Sequence, residues 1–227
     1  MSVVVTVDLR PQFGPARDQG KRPTCLAFAT SDAHAALRGA WQALSAEFGF
    51  YHAQRRGGRK PSDGATLLSM LQAVREDGQP AETAWPYLTD TPADVTTWLP
   101  PTGTTPVFRR AGHGTTGDVG AIIAELDKSR PVITLMRLSP SFFHAPADGV
   151  IDEAPGEKPD LNMRHAVIAL GHGTRGADRV VLVRNSWGPR WGQQGYAWIT
   201  EKFLSARIFS LAHLMEDLSV STSSVAA

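Results

Sequence analysis

Residues 164–173 read R-H-A-V-I-A-L-G-H-G, and residues 184–196 read R-N-S-W-G-P-R-W-G-Q-Q-G-Y. The first block is a histidine followed by a short apolar run that ends at glycine, the pattern of a buried strand. A second apolar run, Arg179 to Asn185, follows after a Gly-containing turn, and a third, Tyr196 to Thr200, follows the Gly-rich block. With Val132 to Leu138 these make four candidate strands, so the second half of the chain reads as β structure. His165 opens one strand and Asn185 closes the next, twenty residues later. Adjacent strands would set an imidazole beside an amide at one sheet end, where the amide oxygen can fix the ring tautomer.

Upstream the pattern changes. Cys25 to Trp41 is Ala-rich with Phe28, Leu37 and Trp41 as its large apolar residues, and Thr24 is a candidate N-cap that places Cys25 at a helix start. A second helix is expected after Ser45. A third is expected from Leu67 to Asp77, stopped by Gly78. The segment Thr89 to Gly117, rich in Thr, Pro and Gly, reads as an irregular lobe crossover, with Thr115, Thr116 and Gly117 as a flexible connection. Val119 to Ser129 has helical spacing and is followed by Pro131. Ser139 to Arg164 reads as a surface loop, and Ser219 to Ala227 as a flexible tail. These observations give an α+β fold, mostly helical first and mostly β second, at a length that fits one large or two small cooperating lobes.

Composition narrows the function. In 227 residues, 42% are hydrophobic and 20% charged, ordinary for a folded domain. Twenty-three Lys and Arg against 22 Asp and Glu leave a charge of +1 and no basic stripe, so no nucleic-acid partner is expected. The longest apolar runs, Ala166 to Leu170 and Val180 to Val183, are far below a membrane span's length, and Met1 to Arg10 has no signal-peptide pattern. The cytoplasm is the expected compartment, with no membrane partner. His113, His144 and His213 lack metal-ligand spacing, and no metal or cofactor is expected.

The single cysteine is left for packing or for chemistry. A nucleophilic thiol needs a lowered pKa, an oriented base and donors for the oxyanion. A helix start favours thiolate at Cys25. His34, nine residues into the same helix, would lie more than ~10 Å away along the axis. His165 with Asn185 is the better-placed base, and His172 reads as non-catalytic. Six residues before the thiol, Gln19 lies in the turn Asp18-Gln19-Gly20, where its amide and the Cys25 N–H would make a two-donor oxyanion hole.

Asp8-Leu9-Arg10, Asp18-Gln19-Gly20, Cys25, Ala27 and Phe28, together with the blocks at 164–173 and 184–196, resemble the papain family of cysteine peptidases. Weaker similarity lies at Leu44 to Glu47, Pro61 to Leu71 and Gly78 to Tyr87. The resemblance implies a single papain-like domain over residues 1–218 with a two-lobe fold, a helical left lobe over about 8–105, a β-barrel-like right lobe over about 106–214, and the active site in the cleft. It implies Cys25 as nucleophile, His165 as acid/base, Asn185 as its orienting residue, Gln19 as oxyanion donor and Trp187 as a shield over the His165–Asn185 bond. Substrate contacts are implied for Ala65, Thr66 and Leu67 on one side and Met163, Arg164 and Ala166 on the other, with Ser205 a further candidate. Arg164 at the rim suggests tolerance for an acidic group.

The chain departs from the family pattern at Arg22, where a cysteine is usual, at Pro23-Thr24 and Leu26 around the thiol, and at Arg164. No structural disulfide is possible with one cysteine. Only seven residues precede Asp8, so the family's long pro-segment is not expected here, and a regulatory protein partner with narrow specificity would take its place. The expected activity is peptide hydrolysis through a thioester, on peptide or protein substrates. The alternatives are a thioester-using acyltransferase, a peptide-binding pseudoenzyme, or the effector module of a larger assembly.

Overall fold

The computed structural model describes residues 2–146 and 148–218, and the expectation for residues 219–227 lies outside them. In chain order it contains β1 (Val4–Asp8), α1 (Cys25–Ala36), α2 (Ala46–Gly57), α3 (Leu67–Gln72) and β2 (Arg110–Thr115). These are followed by α4 (Val119–Leu126), β3 (Val132–Arg137), α5 (Pro140–Phe143), β4 (Val150–Ile151) and β5 (Arg164–Arg175). β6 (Asp178–Arg184), β7 (Tyr196–Thr200), α6 (Glu201–Ser205) and β8 (Ile208–Asp217) complete it. Among these elements no helix is long and apolar enough to cross a membrane.

All of α1 after Cys25 is buried, including Asp32 and His34. Its run of alanines is the consequence of being enclosed on every side, because small side chains let the neighbouring helices and the sheet approach closely. The helix ends at Ala36, short of Trp41, because Gly39 turns with φ 86°. Thr24 does not cap it with its side chain. It does hold the N-cap position before Cys25, as the sequence suggests, but its hydroxyl is 2.8 Å from Tyr87 Oη. Ser45, Thr66, Asp118 and Thr200 do accept from backbone N–H groups at the starts of α2, α3, α4 and α6. α3 continues through a π-helical turn, Ala73–Asp77, to Gly78, as the sequence suggests.

Eight strands form one sheet in the order β2-β8-β3-β5-β6-β7-β4, with β1 paired to β5, and every pairing is antiparallel except β4 with β7. β1 joins the sheet although it begins the chain. β2 overturns the expectation of an irregular crossover through Thr115. Its glycines are close-approach positions: a Cβ at Gly112 would lie 2.7 Å from Leu71 Cδ2, and one at Gly114 would lie 3.2 Å from Leu67 Cδ2. The leucines of α3 therefore press on β2, and this contact joins helical lobe to sheet. The loop at 139–164 likewise contains two short elements, α5 and β4.

A buried charge network ties the lobes at their base. Asp32 of α1 accepts from Arg17 Nε at 2.8 Å and from Arg184 Nε at 2.8 Å, and Arg17 also meets Glu82 at 3.1 Å. Arg184 donates further to Gly14 O at 2.7 Å, Pro15 O at 2.6 Å and Tyr196 Oη at 2.5 Å. The residue after Arg184 is Asn185, so this network sets the height of the β6 end relative to α1.

Candidate active site

Cys25 is the first residue of α1 and keeps partial exposure. Burial pushes its thiol above the ordinary range, while the N–H groups of Ala166, Leu26 and Cys25 itself pull in the other direction. Ala166, whose N–H acts on the thiol, is one residue beyond His165.

His165 is the second residue of β5, and its Nε2 lies 2.7 Å from Asn185 Oδ1. Asn185 Oδ1 also accepts from the backbone N–H of Ser186 at 2.8 Å, which identifies that atom as the amide oxygen. An oxygen in this position only accepts, so Nε2 must carry the ring proton and Nδ1 is left with its lone pair. Burial lowers the imidazole to about 4, against the opposite pull of the Asn185 hydrogen bond.

Aromatic rings cover this pair. Trp187 lies 4.7 Å from His165 and Phe142 lies 5.8 Å from it, centroid to centroid, and Phe143 stacks on Trp187 at 5.3 Å. Trp191 supports Phe142, donating from Nε1 to its carbonyl at 3.0 Å. Phe142 was not recognised from sequence, because its role depends on the four-residue α5 inside a segment that reads as loop. Glu157 holds that segment by accepting from Ser141 N at 2.8 Å, Ser141 Oγ at 2.5 Å and Ala154 N at 2.9 Å. Burial pushes its carboxyl up, but these hydrogen bonds outweigh it and bring the group to about 2.

Gln19 is buried and tethered at four atoms. Its backbone N donates to Ser186 O at 2.8 Å and its Oε1 accepts from Ser186 Oγ at 2.6 Å. Its Nε2 donates to Arg22 O at 2.8 Å, and its carbonyl accepts from Tyr87 Oη at 2.7 Å. One amide hydrogen remains outside these bonds. Ser186 connects Gln19 to Asn185, and Asn185 connects to His165, so three of the four residues singled out in the sequence lie on one short hydrogen-bonded path. Arg22, at the position where the family has a cysteine, forms a fully buried ion pair with Glu47 at 2.5 Å.

The flanking residues divide between rim and core. Gly64 stands beside the thiol loop, where an added Cβ would be 3.8 Å from Pro23 O. Ala65 is half-buried, Thr66 is exposed as the cap of α3, and Leu67 turns inward to Gly114, leaving Leu68 as the exposed leucine. On the sheet side Met163 and Arg164 are exposed and Ala166 is buried. Leu135, directly opposite Ala166 on β3, is a half-buried neighbour that sequence reading missed because it depends on strand register. Ser205 is at the exposed end of α6, and Phe209 is the residue that reaches Arg164. A cavity of about 270 Å³ beside Phe143 is lined by Ser139, Pro140, His144, Asp160 and Met163. His34 bonds Gln79 and His172 bonds Asp127, so neither ring is directed at the thiol by its partner.

The family model described as papain family cysteine protease matches residues 4–211. Cysteine proteinase 3 of Entamoeba histolytica is 29% identical over 198 residues, covering 84% of this chain and 61% of that protein. A cathepsin L-like peptidase of Aedes aegypti is 28% identical over 205 residues, covering 86% of this chain and 58% of its own. The chain thus spans about 60% of the length of these relatives. Among solved structures, xylellain, a cysteine protease from Xylella fastidiosa, superposes with a TM-score of 0.73 at 23% identity, over 94% of this chain and 86% of that one. With the helical lobe, the sheet lobe and the motif blocks in family order, the chain belongs to the papain family of cysteine proteases.

Proposed function

We propose that this chain is a cysteine endopeptidase in which Cys25 is the nucleophile, His165 the acid/base, Asn185 its orienting partner and Gln19 an oxyanion donor. The observation that carries this reading is the fixed tautomer of His165. With the proton on Nε2, Nδ1 is the nitrogen that can take the proton from Sγ. Each group alone is pushed toward its neutral form by burial. Proton transfer creates both charges together, and their mutual attraction offsets part of the desolvation. The thiolate then attacks the peptide carbonyl. The Cys25 N–H and the free hydrogen of Gln19 Nε2 receive the oxyanion, and the C–N bond breaks as His165 protonates the leaving amine. Water, deprotonated by His165, releases the acid from the thioester.

Leu68, Leu161 and Met163 present an exposed apolar rim and Arg164 a cation, which supports a restricted set of peptide or protein substrates. A regulatory protein partner would restrain the same cleft. The thiol must stay reduced to act, which favours a reducing compartment such as the cytoplasm. The test is digestion of an unfolded protein in ¹⁸O-labelled water. Label in newly formed internal C-termini, absent with Cys25→Ala, supports the endopeptidase. Transfer to an added amine in place of label would assign an acyltransferase. Binding without turnover would assign a peptide-binding pseudoenzyme, a reading favoured by the burial that disfavours charge on both Cys25 and His165.

A further inference from the structure

Arg164 on β5 and Arg137 on β3 stand directly opposite one another. Like charges at such positions oppose strand pairing, and neither arginine has an ion-pair partner among the described residues. Arg137 Nε is buried with no hydrogen-bond partner there. Both guanidinium groups lie over one ring, Phe209, at 5.7 Å from Arg137 and 5.8 Å from Arg164. Phe209 occupies the place where β8 slips register against β3, between Leu135 and Met136. The bulge turns an aromatic floor under two cations that no carboxylate among the described residues neutralises.

Strand alternation fixes where this pair faces. Ala166 and Ile168 line a small cavity with Phe28 and Ala29 of α1, so that face of β5 looks at the helix. Arg164 is on the same face, one alternation further, about 6.6 Å beyond Ala166. Going from Ile168 to Ala166 runs toward the α1 N-terminus, since Ala166 is the β5 residue whose backbone N–H acts on the Cys25 thiol. Arg164 therefore emerges into the cleft just past the thiol.

We propose that Arg137 and Arg164 together receive a carboxylate of the substrate, so that acidic peptides are the preferred substrate class. This rests on the peptidase reading above. The carboxylate is either an Asp or Glu side chain near the scissile bond or the free C-terminus of the peptide, and the two are separable. One arm compares amidated peptides in which Glu or Gln is placed in turn at each position near the scissile bond. The other compares the same peptide as free acid and as amide. In each arm the ratio of kcat/KM is measured within wild type, Arg164→Gln and Arg137→Gln, so that general damage in a variant cancels.

The expected result is about a tenfold preference for the charged member in one arm, reduced by added salt and falling to near one in both variants. Equal rates for charged and neutral peptides, or a preference that survives in both variants, would overturn the proposal. Should no peptide be cleaved, the peptidase reading fails on its own. Peptide binding to Cys25→Ala, followed by fluorescence polarisation, then decides the subsite: tighter binding of the acidic peptide, lost with the arginines, supports it, and equal binding overturns it.

Discussion

Replacing Glu47 by Gln should destabilise the protein far more than removal of an ordinary salt bridge. The Glu47 carboxylate is completely buried and accepts from four donors: Arg22 Nη1 at 2.5 Å, Arg22 Nη2 at 3.0 Å, Leu88 N at 3.1 Å and Trp98 Nε1 at 2.7 Å. Arg22 is equally buried, and its guanidinium also reaches Leu88 O at 2.6 Å and stacks near Tyr87 and Phe50. An amide retains the shape and one acceptor, but it turns N–H groups toward a guanidinium that no longer has a counter-charge. A buried charge stripped of its partner costs about 3–5 kcal/mol. A domain of ordinary stability has only ~5–15 kcal/mol to lose.

The double variant Arg22→Met/Glu47→Gln removes the orphaned charge and fills its volume, so it should recover most of that loss and lie within about 2 kcal/mol of wild type. Urea unfolding followed by tryptophan fluorescence, with Trp98 in contact with the altered residue, gives all three values. A loss below about 1 kcal/mol in Glu47→Gln, or a double variant no more stable than the single one, would refute the reasoning. The same pair also positions the thiol loop, since Arg22 O holds the Gln19 amide.

Tyr87→Phe removes the hydroxyl that contacts both Gln19 O and Thr24 Oγ1, on the two sides of the thiol loop. It should cost about 1 kcal/mol of stability and lower kcat more than it raises KM, as separate steady-state constants would show. Asp32→Asn leaves Arg17 and Arg184 facing each other without their shared carboxylate, and should lower the urea midpoint by the equivalent of about 3 kcal/mol. His34, wholly buried, is lowered from its usual 6.5 to about 4 by burial. Above pH ~6.5 neither folded nor unfolded chain protonates it, and its contribution is fully present. As pH falls from there to about 4 the unfolded chain takes up a proton that the folded one refuses, costing about 3 kcal/mol. His34→Gln should flatten the fall in urea stability between pH 7 and 5.

The strands from His165 to Thr200 were legible because apolar runs between glycines have few other readings, and Tyr196–Thr200 is found unchanged. The helices after Ser45 and from Leu67 were legible for the same kind of reason, with a cap at one end and a left-handed glycine at the other. β2 was hidden because Gly112 and Gly114, which signal a loop locally, are there to admit Leu71 and Leu67 from a distant helix. β8 was hidden because His213, Glu216 and Asp217 interrupt its apolar pattern. At the site, Cys25, Gln19, His165 and Asn185 carry their chemistry in their residue types. Leu135, Phe142 and Phe209 do not, since each acquires its place from strand register or from a loop element. Thr24 stands at the N-cap position the sequence suggests, while its hydroxyl meets Tyr87 Oη and not a helix N–H.

The most direct test of the account is the intact mass and rate of adduct formation with an epoxysuccinyl thiol probe near neutral pH, for wild type, Cys25→Ala and His165→Ala. The account predicts one adduct per chain in wild type, none in Cys25→Ala, and at least a hundredfold slower formation in folded His165→Ala, the ordinary reach of an oriented general base. A folded wild-type protein that gains no adduct, or a His165→Ala variant that reacts as fast as wild type, would contradict it.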